Sequence, residues 1–213
     1  MKIIFLDIDG VLNWRGTKDR VDGFIGFDPD LVAQFNRIIE AHPDAKIVIS
    51  SSWRHCSAHN KAYKDFKGLK RLLARKGIKG KIIGHTPIFF GNRGRGHEIR
   101  ESLLLLRDKH PDLTYVILDD DRTGMAPYVQ LKKKYSWETD ELYEERMAAP
   151  QEEDLRPRWV KTSFDGYPIQ TTYGGGYEAE PGGLREEFAN RAIEILNDKL
   201  VEVEPSTEES EWE

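Results

Sequence analysis

The apolar pattern opens at once. Lys2 to Ile8 reads KIIFLDI, an almost continuous hydrophobic run that ends in acid and predicts a strand buried on both faces of a parallel sheet. Residues 28–42 then switch to helical spacing, with Leu31, Phe35, Ile38 and Ile39 on one face, Asp28 as N-cap and Pro29 at the first helical position. A second buried strand is predicted at Lys46 to Ser50 (KIVIS). A basic helix follows at about 61–76, with Leu69, Leu72 and Leu73 inward and Gly77 as its stop. Lys81 to Ile83 predicts a short strand, and the Gly/Arg-rich stretch GNRGRG (Gly91 to Gly96) a loop. Residues 97–109 repeat Ile99, Leu103 and Leu106 at helical spacing, and Tyr115 to Leu118 predicts a third strong strand, again ending in acid.

Beyond that point the pattern weakens. A helix is expected within 122–135, few core positions within 136–157, a strand at Trp159 to Thr162, and loop over Thr171 to Gly183. A last amphipathic helix at 184–200 places Leu184, Phe188, Ala192, Ile195 and Leu196 inward, and the acidic residues 201–213 are expected to be disordered. Strands alternating with helices through residue 118 predict an α/β fold with a mostly parallel sheet. We expect one domain over 1–200, with 136–183 as an irregular insertion or lid.

Composition narrows the class. In 213 residues there is one cysteine, Cys56, so no internal disulfide forms and a reducing, cytoplasmic setting is expected. The longest aliphatic run, Leu103 to Leu106, is far short of a bilayer span, and no leader pattern precedes the first strand. The net charge of -5 hides an asymmetry: residues 61–107 hold 13 Lys/Arg against 3 Asp/Glu, and residues 138–213 hold 7 against 21. Such a split suits a basic face for a polyanion, although much of it falls on one helix whose outer face is solvated in any case.

Ligands collect at the carboxyl ends of parallel strands, and three predicted strand ends carry polar clusters: Asp7/Asp9, Ser50/Ser51/Ser52 and Asp119/Asp120/Asp121. Acids two apart can aim at one spot when Gly10 frees the backbone between them and the following turn. Converging carboxylates repel unless a cation offsets them, which points to a hard divalent metal with oxygen ligands, most simply Mg²⁺.

These residues resemble those of a known superfamily. FLDIDGVLN (Phe5 to Asn13) is similar to the first motif of the haloacid dehalogenase-like (HAD) hydrolases, ISSSW supplies a Ser/Thr second motif, Arg95 a basic third motif and ILDDD the acidic fourth. The strings DIDGVLN, SSWR, RGHEI and VILDDD, with WVKT and a later GL, most resemble the HAD domain of Swiss Army Knife RNA repair proteins. Asp120-Asp121-Arg122-Thr123 is also similar to the phosphatase domain of polynucleotide kinase-phosphatases. The resemblance implies a three-layer α/β/α Rossmann-like HAD fold and a phosphatase working through an aspartyl-phosphate. It makes Asp7 the nucleophile, Asp9 the general acid and base, Ser51 a phosphoryl hydrogen-bond donor and Arg95 the charge neutraliser. It implies a Mg²⁺ bound by Asp7, the Asp9 carbonyl and a fourth-motif acid, Asp120 first and Asp121 next, with Asp119 behind them. Ser50 and Ser52 compete with Ser51, and Arg93 with Arg95.

Gly10, Ser52, Trp53, Arg54 and Arg93 are the expected substrate contacts. No histidine has metal-ligand spacing, Glu98 is expected to support its helix start, and the glycine stretch 174–183 lacks the setting of a nucleotide cradle. About 15 residues separate Asn13 from the helix at Asp28, leaving room for a minimal cap or none. An open site with basic flanks suits a phosphorylated nucleic-acid end, RNA or DNA. The alternatives are a small-molecule phosphatase with residues 122–183 as a lid, and a HAD module that binds phosphate or a partner without turnover.

Overall fold

Alternation along each strand decides which layer a side chain joins. In the computed structural model, which describes residues 1–56, 61–89, 94–126, 139–142, 144, 152–168 and 179–200, Ile4 and Leu6 of strand β1 (Lys2–Leu6) face one core and Ile3 and Phe5 the other. Helices α1 (Pro29–Ala41), α2 (Phe66–Arg75) and α4 (Glu186–Leu196) cover the first face, and α3 (Arg95–Lys109) covers the second. The sheet between them is parallel throughout, with β5 (Lys81–His85), β4 (Lys46–Ile49), β1, β6 (Thr114–Asp119) and β7 (Trp159–Lys161) side by side in that order. The chain winds outward from β1 to β4 and β5, then returns to add β6 on the other side. That reversal makes β1 the topological switch point, and its carboxyl end is where a crevice opens.

Local chemistry explains the element boundaries. Asp28 caps α1 by accepting the Asp30 N–H at 3.0 Å, with Pro29 behind it. The basic helix is shorter than its periodicity predicts, because Asp65 accepts the Gly68 N–H and starts α2 at Phe66, leaving 61–65 as turns. The leucine run of α3 is split by its own helical spacing. Leu103 is buried and Leu106 half-buried, while Leu104 and Leu105 are 65% and 70% exposed. The acidic stretch expected to lack core contributes Leu155 to the second core, and Glu153 accepts bonds from Arg107 and from the Tyr115 hydroxyl.

Two small elements escaped the apolar pattern. A hairpin of β2 (Arg20–Val21) and β3 (Phe24–Ile25) turns on Asp22 and Gly23, both at positive φ, as a two-residue Asp-Gly hairpin turn requires. A second pair joins β8 (Tyr167–Pro168) to β9 (Ala179–Glu180), and of the two only β9 lies within the stretch Thr171 to Gly183 expected to be loop. The helix expected within 122–135 falls largely outside the described residues, as do Arg93 and residues 201–213. No helix among the described residues is long and apolar enough to cross a membrane.

Candidate active site

The carboxyl ends of β1, β4 and β6 meet at one place. Asp7 follows β1 directly, is buried, and is fixed by its own backbone N–H donating to the Leu118 carbonyl at 3.0 Å. Its side chain accepts the Ile8 N–H at 2.8 Å and a hydrogen bond from Ser51. Asp119 ends β6 fully buried and Asp120 follows it half-buried. One carboxylate oxygen from each of Asp7, Asp119 and Asp120 lies within 4.8 Å of the others.

That packing strains the charges. Burial, opposed chiefly by Arg95, leaves the Asp7 carboxyl above its ordinary pKa; burial and then Asp7 push Asp119 well up, and the same two causes push Asp120 up to about 6. Asp119 Oδ2 is buried with no hydrogen-bond partner, and its ionic neighbour Arg95 Nε stands 3.1 Å away in poor bonding geometry. Three converging acids, one with an orphaned oxygen, form the hard all-oxygen donor set that suits Mg²⁺. Asp121 stands apart from this set, its Oδ1 accepting the Thr123 N–H at 2.8 Å. The cluster thus contains Asp120, the expected first ligand, and Asp119, expected behind Asp121, whereas Asp121 lies outside it.

Gly10 and Gly96 permit these approaches. Gly10 has φ +73°, and a Cβ there would sit 2.4 Å from Asp120 Oδ2, so only glycine lets the two loops touch. A Cβ on Gly96 would lie 1.8 Å from the Gly124 carbonyl, so the start of α3 packs backbone to backbone against the turn after β6. Arg95, the first residue of α3, is thereby carried to 3.1 Å from Asp119, 3.3 Å from Glu98 and 4.0 Å from Asp7. Burial alone would weaken its hold on the proton, but these three acids raise it.

Asp9 sits in a different environment from Asp7. Its Oδ1 accepts Asn13 Nδ2 at 2.8 Å and its Oδ2 accepts the Trp53 indole N–H at 2.9 Å, so both oxygens are oriented. Asn13 is fully buried, and also accepts the Gly10 N–H and donates to the Gly26 carbonyl, which ties the β1 loop to the hairpin. Sequence reasoning assigned Asn13 no role; its spacing four residues after Asp9 is the one sequence signal that pointed to it. Trp53 stacks on Tyr63 at 5.7 Å and meets Phe27 edge-on at 5.3 Å, which fixes the indole that orients Asp9.

The three serines separate cleanly. Ser50 is buried with its hydroxyl unpartnered, Ser51 is buried beside Asp7 and caps the short 3-10 turn Ser52–Arg54, and Ser52 is exposed on the cavity wall. Arg54 is committed internally: it donates to the carbonyls of Ser50, Ser51 and Pro87 and pairs with Glu98 at 2.5 Å. Glu98, expected to support its own helix, instead bridges the two arginines. Burial pushes the Cys56 thiol up, against a thiolate nucleophile.

Three cavities surround the acids. One of about 530 Å³ lies beyond Asp9, one of about 550 Å³ beside Asp120, Lys161 and Thr162, and a polar one of about 220 Å³ between Ser52, Arg54, Arg95 and Asp121. Phe164 lines both of the first two.

The family model for the HAD domain in Swiss Army Knife RNA repair proteins matches residues 3–167, most of the chain, and the chain belongs to that family. Among solved structures, the HAD domain of effector protein Lem4 from Legionella pneumophila, an inactive mutant, is similar at 20% identity and a TM-score of 0.34, over 56% of this chain and 72% of that one. No curated protein matches.

Proposed function

We propose, from membership in the HAD domain family of Swiss Army Knife RNA repair proteins, that the chain is a Mg²⁺-dependent phosphomonoesterase that removes terminal phosphates from nucleic-acid ends. The observation that supports it best is the contrast between its two leading acids. Asp7 is buried among two carboxylates and Arg95, whereas Asp9 is held apart with both oxygens hydrogen-bonded by Trp53 and Asn13.

That contrast divides the chemistry. Asp7 attacks phosphorus in line, and an oxygen–phosphorus bond forms as the ester bond breaks. Asp9 gives its proton to the departing alkoxide, then takes one from the water that attacks the aspartyl-phosphate, releasing inorganic phosphate and restoring both acids. Ser51 donates to a phosphoryl oxygen, and Arg95 offsets the negative charge that builds in the transition state. Asp7, Asp119 and Asp120 are the side chains that would hold Mg²⁺, with the Asp9 carbonyl as a further donor, and the ion would supply positive charge opposite the phosphoryl oxygens. Gly10 keeps the Asp7 and Asp120 loops close enough for this. Residues 1–200 act as one domain in this reading, in the cytoplasm.

The test is phosphate release from oligonucleotides phosphorylated at either end, and from small phosphate esters, with Mg²⁺ and with a chelator. Asp7→Asn should fall to background on every substrate. Full turnover by that variant, or hydrolysis of small esters with the oligonucleotides untouched, would overturn the reading in favour of another nucleophile or a small-molecule substrate.

A further inference from the structure

The cavity beyond Asp9 has a composition unlike the rest of the site. Its wall is Val21, Phe24, Ile25, Trp53, Tyr63 and Phe164, interrupted by Asp9, Asp22 and Ser52, and among the described residues no lysine or arginine lines it. An acid that protonates a departing oxygen must face the departing group, so the space beyond Asp9 is where the rest of the substrate would sit. A second phosphate next to the scissile one would meet two carboxylates there and, among the described residues, no cation. A flat, uncharged ring would meet aromatic faces.

Phe24 is the unusual member. It sits at the start of β3 beside the Asp-Gly turn and is 71% exposed, the most exposed large hydrophobic among the described residues. The hairpin turn is tied down where Asp22 accepts the Ala62 N–H at 2.7 Å, and the Phe24 ring lines the cavity. In the same wall, Trp53 and Tyr63 lie nearly parallel, at 11°. The rim beyond Tyr63 changes character, because Lys61 and Lys64 are exposed on either side of it, at the start of the basic stretch.

We infer that this cavity is a base-stacking subsite, in which the nucleobase of the phosphorylated terminal nucleotide lies between Phe24 and the Trp53–Tyr63 pair while Lys61 and Lys64 meet the next backbone phosphate. The inference rests on the proposed function for the direction in which the substrate lies, and it adds the group that recognises a nucleic-acid end. About 530 Å³ falls within the size range of ligand pockets. Stacking on aromatic side chains is tolerant of base identity, so the subsite selects an end that carries a base without selecting its sequence.

The test uses oligonucleotides with a terminal phosphate, at either end, whose terminal residue is either 2-aminopurine or an abasic sugar. Stacking quenches 2-aminopurine fluorescence without any turnover, so the subsite is read separately from catalysis. Wild-type protein should quench the probe and bind it roughly tenfold more tightly than the abasic end, and Phe24→Ala should erase most of that preference, with Phe24→Tyr restoring it. No quenching, equal affinity for the two ends, or a preference that survives Phe24→Ala would overturn the subsite even if phosphate is released. Tighter binding of a peptide bearing an aryl phosphate than of either oligonucleotide would also overturn it, assigning the cavity to a protein side chain. Quenching with no phosphate release from any end would leave the subsite standing and sink the phosphatase reading instead.

Discussion

Replacing Arg54 with methionine removes one half of a buried ion pair while keeping an unbranched side chain in its place. Arg54 is 4% exposed and Glu98 8%, and they meet at 2.5 Å. Burial lowers the hold of Arg54 on its proton even with Glu98 alongside, so desolvation of this guanidinium outweighs its pairing. The danger in the variant is therefore the orphaned glutamate, not the lost attraction. Truncating one partner of a buried pair costs about 3–5 kcal/mol, and Arg95 at 3.3 Å still serves Glu98, so about 2–4 kcal/mol is expected. For a chain of this size that is a fall in melting temperature of roughly 5–15 °C. The carbonyls of Ser50 and Ser51 lose their donor as well, so the loop holding Ser51 beside Asp7 should loosen and phosphate release should fall with stability. Arg54→Met, Glu98→Gln and the double variant, compared by urea and thermal melts, give the coupling. A coupling energy of at least about 1 kcal/mol is expected, with the double variant less damaged than the sum of the singles. An Arg54→Met protein melting within about 2 °C of the parent, or strictly additive costs, would refute the reasoning.

Gly10→Ala should be destabilised by about 1–2 kcal/mol from its positive φ, and should lose most Mg²⁺-dependent activity as Asp120 is displaced; melting and activity assays check both. Asn13→Ala deprives Asp9 of one donor and the Gly10 N–H of its acceptor, so kcat should fall roughly 10- to 100-fold with a smaller change in KM, measured by steady-state kinetics. Adding Mg²⁺ should raise the melting temperature, by up to about 2.7 kcal/mol of stability at a hundred times Kd, and Asp119→Asn or Asp120→Asn should blunt that rise; a thermal shift titration reads it. Glu153 is partly buried, which would raise its pKa, yet bonds from Arg107 and Tyr115 hold it below the ordinary carboxylate value. Its stabilisation is therefore present above the unfolded-state pKa and lost as pH falls through the lowered folded value. Glu153→Gln should flatten that part of the acid limb in pH-dependent melts.

The parts of the site that follow buried strands were legible because KIIFLDI, KIVIS and TYVILD have only one reading in an α/β chain, and a strand end fixes where the next polar residue goes. Ser51 beside Asp7 and Arg95 at the start of α3 are placed by that logic and by the Gly96 contact. The order of the fourth-motif acids was not legible, since the turn after β6 decides which of Asp119 and Asp121 faces the cluster, and a turn leaves no apolar period to read. The Glu98–Arg54 pair joins residues 44 apart across two elements, which no local pattern encodes. The hairpin over the cavity did leave a trace, the Asp22-Gly23 dipeptide, but its strands are two residues each and too short for alternation to register.

The order of the sheet has a consequence for how the protein comes into being. Asp7 leaves the ribosome more than a hundred residues before Asp119, yet β1 finds β6 only after β4 and β5 have been laid down on its other flank. An emerging chain can therefore lay down β1, β4 and β5 while Asp7 still lacks Asp119 and Asp120, and the three acids come together only when this long loop closes. The acidic cluster is in that sense fastened by a pairing between distant stretches of chain, and any cation that bridged it would favour the closed sheet over the half-built one.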